Sequence, residues 1–277
     1  MAIAEFFLEP LTYRFMQSAF ITSIAVGILA STLSVVIVLR GWALLGDAIS
    51  HAVLPGLALA AVFNIPLTLG GALAGIISSF AIGVIEQKTR VRNDTAIGIV
   101  LTGAFALGLV AISKLRPTLD VFHILFGNVL AVSTEELQLT AAVAAAVLLF
   151  FGLFLKEIVA YTFDPVFASV AGLPSNLLHY ILMVMISLAV IASLQTVGII
   201  LVVALLITPG ATAQLLAKNL LQMFIISIAV GITSAIIGLY LSFYLAASSG
   251  GTIALTATAI FFAAFLAKRL TASAVSR

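Results

Sequence analysis

Asp47 and His51 stand four residues apart in the stretch GDAISHAVLPG, residues 46–56, where nearly every neighbour is Ala, Leu, Ile, Val or Gly. Between Arg40 and Glu86 no other side chain carries a formal charge. On a helix, residues at i and i+4 share a face, so the carboxylate and the imidazole point the same way. A carboxylate inside hydrocarbon costs at least about 2.5–3.5 kcal/mol, so it must face a partner or a wet cavity. Three chemistries fit the pair: a mutual contact that fixes packing, a proton relay, or ligation of a cation in transit. For a cation, one carboxylate and one imidazole suit a divalent ion such as Mn²⁺, Zn²⁺ or Fe²⁺. Two ligands do not strip such an ion of its water. Two copies of the chain across a two-fold axis would supply two Asp and two His at one point. Gly46, Ser50 and Gly56 are small enough to permit that approach. Pro55 has no N–H and loosens the helix one turn beyond the pair.

The elements that carry this pair are legible in the composition. Of 277 residues, 63% are hydrophobic and only 8% are charged, with a mean hydropathy of +1.32. Soluble domains carry about 25% charged residues. Apolar runs of membrane-spanning length alternate with short charged stretches, which indicates a polytopic all-α membrane protein. Nine spans are expected, at roughly 16–39, 42–63, 67–85, 95–113, 138–155, 177–194, 196–216, 221–247 and 252–267. They form a single transmembrane domain over 1–277. Counted from Arg40 along an unbroken helix, Asp47 and His51 fall about 10–16 Å into the membrane.

Basic residues set the orientation. With a cytoplasmic C-terminus, nine of the twelve Lys and Arg fall inside and only Arg14, Lys114 and Arg116 fall outside. An odd number of spans then puts the N-terminus outside. Met1–Arg14 contains Glu5 and Glu9 and lacks the basic start of a cleavable signal peptide. The chain has no cysteine, which excludes disulfides and thiolate metal sites. It has no basic stripe for nucleic acid, no H-E-x-x-H protease motif, and no G-x-x-x-x-G-K-[ST] phosphate loop.

Two connecting segments are too apolar for plain loops. DVFHILFGNVLAV, 120–132, reads as a re-entrant or interfacial helix on the outer side, with Asp120, His123 and Asn128 as candidate lining of an entrance. AYTFDPVFASVAGLPSN, 160–176, reads as a short cytoplasmic helix. Asp164 is its N-cap, Pro165 its first helical residue, and Gly172 with Pro174 its end. It is either an ordinary connection or a docking element for a cytoplasmic partner. Trp42 and His179 read as interfacial residues, Asp94 with Thr95 as a helix cap, and Thr208-Pro209-Gly210 as a hinge or broken helix end.

RGWALLGDAISHAVLPG resembles a motif of the membrane permease subunits of manganese/zinc/iron ATP-binding-cassette (ABC) importers. DTAIGI, DVFHILFGNVLAV, FDPVFASVAGLP and LQTVGIILVVALLITPGATA resemble that family's other shared stretches in the same order, so the resemblance covers nearly the whole chain. It implies a type II ABC importer-like permease of about eight to nine transmembrane helices plus a short cytoplasmic coupling helix, in the cell membrane. It also implies two copies of the chain, cytoplasmic ATPase subunits, and an extracytoplasmic metal-binding protein outside. By the same resemblance, Asp47 and His51 match the intramembrane metal ligands. The coupling helix corresponds to Asp164, Pro165, Val166, Phe167, Ala168, Ser169, Val170, Ala171 and Gly172, and 120–132 to a pathway-lining helix. Pro165 stands where the family often has an acidic residue, and AVLPG after His51 resembles the manganese branch. No permanently bound cofactor is expected; the metal, Mn²⁺ or Zn²⁺, is cargo, and ATP is hydrolysed in another subunit. The alternative is an ion- or proton-coupled secondary transporter using the same pair.

Overall fold

The computed structural model describes residues 8–115 and 129–275. Within them every regular element is helical, and nine helical segments are long and apolar enough to cross a bilayer. The protein is therefore a multi-pass all-α membrane protein. Helix α1 is Arg14–Arg40, and Leu45–Ala52 (α2) with Leu54–Phe63 (α3) together make the second span. Leu67–Lys88 (α4) and Asn93–Leu115 (α5) follow, then Thr134–Leu153 (α6). Two short helices, Leu155–Phe163 (α7) and Pro165–Val170 (α8), lead to Ser175–Val197 (α9). The chain continues through Ile199–Leu216 (α10), Leu220–Leu245 (α11) and Ser249–Val275 (α12). Pro10–Thr12 and Val129–Ala131 are single 3-10 turns.

Two helix groups share α1 and α9 as their inner members. In the first, α1 packs against α10 and α11, and α12 closes the group. In the second, α4 packs against α9 and α3, while α5 lies across α2 and α3. Helix α6 bridges the groups by touching both α1 and α9. Helix α1 is buried along most of its length, whereas α5 and α12 present large apolar side chains outward, such as Leu107 and Leu255. Lipid tails are as apolar as leucine, so hydrophobicity does not hold spans together; close packing and hydrogen bonds do. The crossing of α3 and α4 shows this. A Cβ on Gly56 would collide with the Gly70 carbonyl and come within 2.7 Å of the Ala74 Cβ, so the two backbones lie in direct contact.

Three local expectations are corrected. The turn Gly41–Leu44 interrupts the helix, so the rise toward the Asp–His pair must be counted from Leu45, not from Arg40. That places Asp47 and His51 about 3 and 9 Å along α2. Gly46, Ser50 and Gly56 are spent on packing inside the chain. A Cβ on Gly46 would meet the Leu206 side chain at 2.8 Å, and Ser50 is fully buried with its hydroxyl donating to the Gly46 carbonyl at 2.8 Å. Finally, α10 runs straight through Thr208-Pro209-Gly210 to Leu216. The Ser34 hydroxyl of α1 accepts the Gly210 N–H at 2.9 Å and donates to the Ile207 carbonyl at 3.2 Å, so a neighbouring helix serves the backbone disturbed by Pro209.

Candidate metal pathway and docking helix

Helix α2 is only eight residues long, with Asp47 in its first turn and His51 in its last. A carboxylate is stabilised near a helix N-terminus and an imidazolium near a C-terminus, so the ends of α2 suit the pair that they carry. Beyond His51 the chain is interrupted at Val53 before α3 begins. Pro55, four residues after His51, has no N–H to offer the His51 carbonyl. Across the break the Val53 N–H still reaches the Ile49 carbonyl and the Leu57 N–H the Val53 carbonyl, so α2 and α3 stay one span, and α5 packs against both.

The structure brings the two side chains to one face. His51 Nε2 lies 3.6 Å from Asp47 Oδ1, and the side chains are 33% and 41% exposed respectively. At that distance they attract but are not hydrogen-bonded. His51 is held from the other side by Phe105 of α5, its ring edge-on with centroids 5.4 Å apart. His51 Nδ1 is buried with no hydrogen-bond partner among the described residues. His51 Nε2 and the Asp47 carboxylate thus lie on one partly exposed side, while Nδ1 is turned into the protein. Among the described residues no third His, Cys, Asp or Glu joins them to make a three-ligand group. Beside them, an apolar groove of about 400 Å³ runs between α3, α4 and α5, bounded by Ala52, Pro55, Leu59 and Leu107.

Residues 164–172 form the capped helix expected from sequence. Asp164 Oδ1 accepts the N–H groups of Val166 and Phe167 at 3.0 and 2.9 Å, with Pro165 at the first helical position. The helix ends at Gly172, whose φ of +83° only glycine adopts readily. The Leu173 N–H then returns to the Ala168 carbonyl at 3.0 Å. Outward from this helix project Val166, Phe167 and Val170, exposed to 72%, 62% and 82%. Asp94 lies in the first turn of α5, where its Oδ1 takes the Thr95 N–H at 3.2 Å and faces Arg92 Nε at 3.4 Å. Asp120, His123 and Asn128 lie outside the described residues.

Sequence reading missed one polar cluster. Trp42 and His179 do not lie against a headgroup layer; both are buried in protein. Trp42 Nε1 donates to Glu86 Oε1 at 3.2 Å, and His179 Nδ1 is 2.8 Å from the Tyr161 hydroxyl. The only hint in the sequence was Glu86 itself, an acidic residue inside the last turn of a span.

Residues 12–268 match the family model described as the ABC 3 transport family. The chain is 49% identical over 261 residues, 94% of this chain and 93% of that protein, to the manganese transport system membrane protein MntC of Listeria monocytogenes. It is 44% identical to a probable iron transport system membrane protein of Haemophilus influenzae, covering 93% of this chain and 95% of that one. Among solved structures, PsaBC from Streptococcus pneumoniae in complex with Fab matches at a TM-score of 0.82 and 41% identity, over 95% of both chains. A membrane-spanning all-α chain whose residues 12–268 match this family's model, and which is 41–49% identical to these proteins over more than nine-tenths of its length, belongs to the ABC 3 transport family.

Proposed function

We propose that this chain is the single-domain permease subunit of an ATP-driven importer that carries a divalent transition metal ion through the membrane by alternating access. Manganese is the first candidate, since most of the similar relatives are named for manganese and two for iron; zinc is the less supported cargo. Asp47 and His51 are the protein ligands that the ion meets inside the membrane. The observation that carries the reading is the partly exposed face that His51 Nε2 shares with the Asp47 carboxylate, with no third His, Cys, Asp or Glu beside it among the described residues. Carboxylate plus imidazole is a donor set suited to Mn²⁺, Fe²⁺ or Zn²⁺.

An incomplete ligand set asks for a partner, and a second copy of the chain supplies the same two groups by symmetry. The apolar groove beside Pro55 and Leu59 continues the surface that such a copy would cover. Helix α8 is the seat for a cytoplasmic ATPase. Three large apolar side chains held outward on a rigidly capped helix, outside any span, call for a complementary protein groove. That feature favours an ATP-driven importer over a self-sufficient ion-coupled transporter. The distribution of Lys and Arg supports a cytoplasmic side for α8 and the C-terminus, which leaves the opposite face for an extracytoplasmic metal-binding protein. Asp120, His123 and Asn128 belong to the outer pathway in this reading.

The test is metal accumulation in cells carrying Asp47→Ala. The expected result is arrested Mn²⁺ uptake with the complex assembled and still hydrolysing ATP. Uptake equal to the unaltered protein ends the proposal.

A further inference from the structure

The cluster around Glu86 lies apart from Asp47 and His51, and it joins charged, aromatic and imidazole side chains in the protein interior. Five segments meet there. Arg40 ends α1, Trp42 lies in the turn before α2, Glu86 ends α4, Tyr161 is on α7, and His179 is in the first turns of α9. The Arg40 guanidinium carbon sits 5.3 Å from the Trp42 ring centre and 4.7 Å from that of Tyr161. The Trp42 and His179 rings meet edge-on at 5.4 Å. Burial pushes the Tyr161 hydroxyl up to about 12, so the phenol keeps its proton; it hydrogen-bonds with His179 Nδ1, the donor being set by the imidazole tautomer. In the tautomer where Tyr161 donates, Nδ1 accepts and Nε2 carries the imidazole proton.

That proton faces Glu86 Oε2 across 3.9 Å. Both atoms are buried, and neither has a hydrogen-bond partner among the described residues. The two groups are separated by less than about 1 Å beyond bonding distance, so a small shift of α4 against α9 would close the contact. Each is a buried polar atom without a partner among the described residues, so the closed contact is favoured whenever packing allows it. Arg40 stacks its fixed positive charge on both flanking rings, which disfavours a metal cation as the occupant of the gap.

The location gives this contact its meaning. On one side, Trp42 is tied to Glu86, and its own backbone carbonyl takes the N–H of Leu45, the first residue of α2. On the other side, both flanks of α8 reach the cluster. Tyr161 stands three residues before Asp164, and His179 follows Ser175, whose hydroxyl donates to the Pro165 carbonyl at 3.3 Å. We infer that Glu86 and His179 form a latch, opening and closing between Trp42 and Tyr161, that carries a displacement of α8 to the helix bearing Asp47 and His51. These four are positioning residues, and the inference rests on the reading of α8 as the ATPase seat.

The experiment uses the permease with its ATPase subunits in proteoliposomes and reads manganese(II) ions taken up per ATP hydrolysed. Glu86→Gln keeps an oxygen for the Trp42 N–H and removes the carboxylate; Tyr161→Phe removes only the hydroxyl. Each is expected to lower ions per ATP roughly tenfold, the double variant no further than either single one, with ATP hydrolysis within about twofold. An unchanged ratio in assembled variants overturns the latch, and so does a fall in uptake that merely tracks loss of ATPase from the complex. Phe167→Asp run alongside separates the two ideas. Loss of ATPase there with normal coupling in Glu86→Gln and Tyr161→Phe overturns the latch alone. ATPase retained on Phe167→Asp overturns the docking reading and the latch with it.

Discussion

His51 Nε2 and Asp47 Oδ1 face each other across 3.6 Å, one helical turn apart on α2. The gap is too long for a hydrogen bond and short enough for both atoms to reach one ion. Two ligands acting on one cargo are not additive. Asp47→Asn and His51→Ala are each expected to cut metal accumulation more than about tenfold, since even indirect supports of metal ligands cost 10–100-fold. The double variant is expected to be no worse than the stronger single one. Accumulation measured across a manganese series decides it, and full activity in His51→Ala removes the imidazole from the pathway.

The contact between Gly56 and Gly70 sets how closely α3 and α4 approach. Gly56→Ala drives a methyl group into the Gly70 carbonyl and is expected to cost about 1–3 kcal/mol. Gly71→Ala, one residue along the same helix, meets nothing closer than Leu57 at 3.6 Å and is expected to be tolerated. Thermal unfolding in detergent compares them. Equal midpoints mean that the helices are not in backbone contact.

Ser34 serves two backbone groups of α10 next to Pro209. Ser34→Ala leaves the Gly210 N–H without its acceptor inside a protein core. The expected loss is about 1 kcal/mol of stability, read as a lower unfolding midpoint with unchanged metal selectivity.

On α8, Phe167 is 62% exposed, so Phe167→Asp has little to disturb within the chain itself. Its expected effect is loss of ATPase co-purification and of uptake, with an unchanged unfolding midpoint. Asp164→Ala acts differently. It removes the cap from the Val166 and Phe167 N–H groups, costs about 0.5–2 kcal/mol locally, and weakens the same association without adding a charge. A complex that survives both variants places the ATPase elsewhere.

How far the sequence reached differs from one element to the next. The nine spans were legible because the requirement is local: roughly twenty apolar residues in a row satisfy it whatever they touch. The cap at Asp164, the proline after it and the glycine at 172 were legible for the same reason, since each answers a demand of the backbone within a few residues. The break at Val53 was only half visible. Pro55 announced a disturbance, but the start of α2 at Leu45 depended on the Gly41–Leu44 turn, and an unbroken count from Arg40 overshot.

By itself, then, the amino-acid order determined that this is an all-α membrane chain, which side chains on α2 share a face, and where its short capped helix lies. Only the tertiary structure decided what those faces meet. Gly46 looked free for a second copy and is filled by Leu206; Trp42 looked like a headgroup anchor and is buried against Glu86. Arg40, Glu86, Tyr161 and His179 span 140 positions of chain with no shared motif. Hydropathy and helical period report one element at a time, whereas a buried polar contact exists only once separate helices have packed and excluded the solvent between them.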